Sequence, residues 1–155
     1  MIGLISGALY FSDRFSENPA DFFTDRRSDQ TPQAARVKIL VVDDEKLIAD
    51  TLTEILKVAG FKVTTAYGGW EALQSASKVR PDYLLSDVLM PHMNGVELAI
   101  AIQKMNPAAR ILLFSGQAGI SETLLDGQQR GLKYELIAKP IHPLKLIQLL
   151  KDRDQ

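Results

Sequence analysis

The chain has no cysteine, which excludes disulfides, thiolate metal sites and thiol nucleophiles. Such a chain suits a reducing compartment, and a cytoplasmic location is expected. It also has no apolar run near the roughly 20 residues needed to span a bilayer. Its apolar start, residues 1–11, lacks a basic flank and a small-residue cleavage site, so it does not read as a signal peptide. Charge of one sign is not in surplus either. Eighteen basic and 19 acidic side chains leave a formal charge of −1, with no electrostatic pull toward nucleic acid or an anionic membrane. There are only two histidines. His92 reads as an exposed loop residue and His142, just before Pro143, as a helix N-cap, with no second ligand nearby to make a metal pair. What remains is a 155-residue chain, 46% hydrophobic and 24% charged, long enough for one domain with a buried core and too apolar for a disordered one.

The chain divides near residue 36. Residues 1–36 carry scattered aromatics (Tyr10, Phe11, Phe15, Phe22, Phe23) and the turn-prone pairs Asn18-Pro19 and Thr31-Pro32, with no sustained period of 2 or 3.6. They are expected to form a flexible extension. From residue 37 to 152, strand-like and helix-like segments alternate. Residues 37–42 are apolar apart from Lys38, as in a strand covered on both faces. Residues 45–59 place Ile48, Leu52, Ile55, Leu56 and Ala59 at helical spacing, with Gly60 as the stop. Residues 61–66 alternate, as an edge strand does. A helix over 68–79, on which Trp70 is expected to be partly buried, is broken by Arg80-Pro81-Asp82. Strand 83–86, helix 95–105, strand 110–114, helix 121–130, strand 133–138 and helix 144–151 complete five β–α repeats. That pattern predicts a doubly wound, five-stranded parallel sheet with helices on both faces.

Such sheets bind ligands outside the carboxyl ends of their strands. Four of the apolar runs end there in groups with chemistry. The first runs into Asp43 and Asp44, which are expected to open the first helix, the third strand into Asp87, the fourth into Ser115, and the last into Lys139 and Pro140. Three carboxylates brought together repel one another unless a cation sits among them. Magnesium takes oxygen ligands and needs only one or two carboxylates from the protein. A carboxylate is also a nucleophile toward phosphorus. An ammonium, a hydroxyl and a divalent ion are the groups that stabilise the charge of a phosphoryl in transfer.

At this point the residues resemble the receiver domains of bacterial two-component response regulators, over residues 37–151. The resemblance is carried by V-V-D-D at 41–44, A-Y-G-G-W-E-A-L at 66–73, P-D-Y-L-L-S-D-V-L-M-P at 81–91, M-N-G at 93–95 and K-P at 139–140. No fragment is distinctive alone, whereas all five in order are. The resemblance implies a flavodoxin-like sheet of order 2-1-3-4-5. It implies Asp87 as the phospho-acceptor, served by a histidine kinase or phosphotransfer protein. Mg2+ would be held by Asp43 through water, and by Asp44, Asp87 and the backbone carbonyl of Leu89. Ser115, the Gly116 amide and Lys139 would meet the phosphoryl oxygens, with Lys139-Pro140 cis. It also implies signalling without an enzymatic output and, on phosphorylation, a homodimer through the fourth helix, fifth strand and fifth helix.

Two positions depart from the family pattern. Leu136 stands where receivers usually place the aromatic partner of the switch hydroxyl. Output is therefore expected through residues 116–120 and the fourth helix, toward an unknown downstream protein. Leu89 and Gln117 occupy the positions that tune dephosphorylation. Leucine cannot orient a water, so a long-lived phosphoryl group is expected. The expected protein is a stand-alone receiver signalling by protein contact, with no direct nucleic-acid or membrane binding. Two other classes compete. A receiver-like interaction module with a degenerate switch is supported by Leu136. An aspartate-nucleophile phosphohydrolase of the haloacid dehalogenase type would resemble Asp-x-Asp after its first strand, and adjacent Asp43-Asp44 argues against it.

Overall fold

The computed structural model describes residues 37–116 and 121–153. The extension expected at 1–36 lies outside the described residues, as do Gln117 and the rest of the 117–120 loop. The elements run β1 (Lys38–Val42), α1 (Lys46–Val58), β2 (Lys62–Ala66), α2 (Gly69–Val79), β3 (Tyr83–Asp87), α3 (Gly95–Met105), β4 (Arg110–Ser115), α4 (Ser121–Gln129), β5 (Glu135–Ala138) and α5 (Pro143–Asp152). The sheet is parallel throughout, in the order β2-β1-β3-β4-β5.

Local sequence accounts for these elements. β3 is buried along its whole length because both its faces are covered, whereas β2 and β5 at the edges are only partly buried. Alternate strand residues feed two separate cores. Leu40, Val42, Leu84 and Leu113 pack with α2 and α3 on one face; Ile39, Val41, Leu85 and Leu112 pack with α1 and α5 on the other. In α1 the buried Ala49, Leu52 and Leu56 recur at helical spacing. α3 opens with a capping box in which the Asn94 side chain accepts from the Glu97 amide and Glu97 accepts from the Asn94 amide. Gly60 stops the stretch after α1 at φ 101°, a conformation open to glycine at little cost.

Two expectations need correction. Trp70 is 68% exposed, not partly buried. α2 buries Ala72 and Ala76, and at about 100° per residue Trp70 lies roughly 200° around the helix from Ala72. Asp43 and Asp44 do not open α1; the helix starts at Lys46, with Glu45 as its N-cap.

Candidate functional site

In this strand order the chain leaves β1 toward β2 and returns to the other side of β1 as β3. The crevice at that reversal lies at the carboxyl ends of the strands. The parallel register puts Val42 beside Ser86, Asp87 beside Phe114 and Ser115 beside Ala138. The residues that follow β1 and β5, and those that end β3 and β4, therefore meet at one edge.

Asp43, Asp44 and Asp87 each offer a carboxylate oxygen, and these atoms lie within 4.8 Å of one another. The Lys139 ammonium stands 3.2 Å from Asp87 Oδ2 and 3.6 Å from Asp43 Oδ2. Asp43 is buried, and its Oδ1 accepts from the Glu45 amide at 2.9 Å. Its Oδ2 is fully buried with no hydrogen-bond partner among the described residues. The Lys139 amide donates to the Ser115 carbonyl at 2.9 Å, tying the end of β5 to the end of β4, and the Lys139–Pro140 peptide is cis. The cleft above these groups holds about 340 Å³ and is lined by Asp44, Asp87, Leu89, Ser115, Gly116 and Lys139, with Glu45 at its side.

The electrostatics favour binding of a cation. Burial pushes the Asp43 carboxyl above its ordinary value; the Glu45 amide and Lys139 oppose that shift, while Asp87 and Asp44 add to it. Burial would lower the Lys139 pKa, but Asp87 and Asp43 together outweigh it and hold it above the usual lysine value. One ammonium thus faces three carboxylates. An all-oxygen donor set with an orphaned buried carboxylate oxygen fits a hard divalent cation such as magnesium.

The folded chain holds the Asp43 proton to higher pH than the unfolded chain does. Stability is therefore lost as pH rises from the ordinary carboxylate value of 3.8 through the raised folded value. Asp43→Asn keeps an oxygen for the Glu45 amide and removes the charge. In EDTA at pH 7 the variant is expected to be more stable by about 1 kcal/mol in urea unfolding, a gain that shrinks as pH falls toward the carboxylate range. Equal or lower stability at pH 7 would show that Lys139 already balances the cluster.

Of the site residues expected from the sequence, Asp44, Asp87, Leu89, Ser115, Gly116 and Lys139 line one cleft, and Asp43 lies buried beside them, with a carboxylate oxygen near those of Asp44 and Asp87 and an ion pair to Lys139. Gln117 lies outside the described residues. Leu136 is 50% exposed on β5, apart from the cleft. Tyr134, just before β5, packs against the core and donates its hydroxyl to the Leu124 carbonyl of α4 at 3.5 Å. The loop after β3 carries one backbone feature that the sequence did not reveal. His92, exposed at φ 69°, is the middle residue of a γ-turn closed by the Met93 amide on the Pro91 carbonyl at 2.8 Å.

Comparison with known proteins gives consistent results. The family model of the response regulator receiver domain matches residues 39–151. The chain is 31% identical over 114 residues to the chemotaxis protein CheY of Thermotoga maritima, covering 73% of this chain and 93% of that protein. It is 32% identical over 99 residues to the probable transcriptional regulatory protein TcrX of Mycobacterium tuberculosis, covering 64% of this chain and 41% of that protein. The chain spans about half the length of the transcriptional regulators it matches first. Among solved structures, a CheY-like response regulator receiver domain protein of Methanospirillum hungatei superposes with a TM-score of 0.69 at 28% identity. That match covers 76% of this chain and 93% of the other.

Proposed function

The chain belongs to the response regulator receiver domain family, and on that premise we propose that it accepts a phosphoryl group on Asp87 from a histidine kinase or phosphotransfer protein. The observation that carries this reading is the Lys139 ammonium set between the carboxylates of Asp87 and Asp43 at the edge of the sheet. An Asp87 carboxylate oxygen forms the new bond to phosphorus while the bond to the donor breaks, so charge builds on the phosphoryl oxygens. Lys139, the Ser115 hydroxyl and the Gly116 amide are the donors proposed to meet that charge. Asp43, Asp44, Asp87 and the Leu89 carbonyl are the proposed Mg2+ ligands, and the ion supplies charge neutralisation when bound.

The receiver unit proposed is 37–152, with 1–36 as an extension. The partner reading has support in an apolar groove of about 600 Å³ between α1 and the segment after β5. Leu47, Ile48, Leu52 and Ile55 line it with Pro140 and Ile141, and it shares Gly116 and Lys139 with the cleft. A donor protein seated there would lie beside the cleft that Asp87 lines. Output is proposed to pass by protein contact in the cytoplasm through α4, to which Tyr134 is hydrogen-bonded. The proposed homodimer face, α4–β5–α5, carries the exposed Leu125 and Leu136. Among the described residues no helix is long and apolar enough to cross a membrane.

Intact mass after acetyl phosphate treatment tests the reading. One phosphoryl mass is expected with Mg2+ and none in EDTA, and the group should persist for minutes because the side chain of Leu89, which lines the cleft, has no polar group to orient a water. No uptake with Mg2+, or turnover on a panel of phosphomonoesters, would reject it. The exposed Leu136 favours one second reading, an interaction module with a degenerate switch. That reading predicts that beryllofluoride leaves the α4 amide resonances unmoved.

A further inference from the structure

We infer that Ser86 is a positioning residue for the acceptor, an inference that rests on Asp87 being the residue phosphorylated. Ser86 lies in the central strand β3, beside Val42 on β1 and Leu113 on β4, and is 0% exposed. A hydroxyl stripped of water in such a place needs a partner. Ser86 Oγ donates to the main-chain carbonyl of Asp87 at 2.9 Å. The same carbonyl is crowded by α3, because a Cβ on Gly95 would stand 2.1 Å from it. The neighbouring groups are held as well. The Val88 amide donates to the Phe114 carbonyl at 3.1 Å, and the Gly95 amide donates to the Val88 carbonyl at 2.8 Å.

The peptide between Asp87 and Val88 is thus held by the hydroxyl, by β4 and by the start of α3. Rotation of that peptide would tilt the Asp87 side chain and displace Leu89, which enters the cleft two residues on. Ser86 does not line the cleft and acts through Asp87. An apolar side chain would fill this strand position equally well, so the hydroxyl is explained by the carbonyl it restrains.

Four proteins test this: wild type, Ser86→Ala, Ser86→Thr and Ser86→Val. Mg2+ affinity is read by titration calorimetry without any phosphoryl donor, and phosphoryl uptake from acetyl phosphate by intact mass. Loss of one hydrogen bond is worth about fivefold, so Ser86→Ala is expected to bind Mg2+ and to take up phosphate about fivefold less well. Ser86→Thr is expected to restore both, and Ser86→Val, equal to threonine in shape but lacking the donor, to restore neither. Wild-type values for Ser86→Ala would overturn the inference. If the alanine variant does not fold, threonine against valine decides, and equal values for that pair overturn it. Failure of the wild type to take up phosphate strikes the acceptor assignment instead, and the Mg2+ titrations still judge Ser86.

Discussion

An Asp87→Ala chain treated with acetyl phosphate and Mg2+ is expected to gain no phosphoryl mass, while its stability in EDTA rises. The first part follows from what the other two carboxylates can reach. Asp43 has its Oδ1 engaged by the Glu45 amide and its Oδ2 fully buried, so neither oxygen can approach phosphorus in line. Asp44 is exposed, but the Lys139 ion pairs run to Asp43 and Asp87. An attack from Asp44 would lack the adjacent ammonium, a type of stabilisation worth about 10²–10³ in rate where single donors have been removed. The second part follows from charge. Removing one of three clustered carboxylates leaves Asp43 and Asp44, with Lys139 still paired to Asp43, which relieves repulsion by about 1 kcal/mol in the absence of metal. Loss of uptake together with a higher urea midpoint in EDTA distinguishes a missing acceptor from a damaged fold. Phosphoryl mass persisting on Asp87→Ala would reject the assignment.

The fold could be read from the sequence because each strand is a short apolar run and each break has its own chemistry. Gly60 ends the first helical segment, Pro81 forbids continuation of the second, and Asn106-Pro107 closes the third. The cleft could be read because its chemistry sits directly after strands, and a parallel sheet carries all strand ends to one edge. Features that depend on distance between segments could not be read. Ser86 looks like a small spacer inside an apolar strand, and nothing local shows that its hydroxyl meets the Asp87 carbonyl. Trp70 reads as partly buried by type. Its exposure reflects a helix face built from alanines, to which the periodicity of large residues is blind. Leu136 is half exposed because β5 is an edge strand covered on one side of that position only in part, an outcome of strand order and not of residue type.

Gly95→Ala is expected to destabilise the chain by about 3 kcal/mol and to weaken Mg2+ binding with it. Backbone conformation is not the reason, since among the described residues the positive-φ glycines are Gly60 and Gly131. Helix propensity would even favour alanine by up to about 1 kcal/mol. Space decides against it. The new Cβ would stand 2.1 Å from the Asp87 carbonyl oxygen, 2.9 Å from its carbon and 3.0 Å from Val88 Cα. All three are main-chain atoms held by the sheet, so the start of α3 and the end of β3 must separate. Gly127 in α4 supplies the control. Its added Cβ would meet Val96 Cγ1 at 2.8 Å, the end of a side chain that can yield by rotating. There the clash and the helix propensity nearly cancel, and Gly127→Ala is expected to change stability by under about 1 kcal/mol. Urea unfolding and Mg2+ titration of the two variants side by side check the contrast. A Gly95→Ala chain as stable as Gly127→Ala, with wild-type Mg2+ affinity, would mean that the junction of β3 and α3 yields freely and does not hold Asp87 in place.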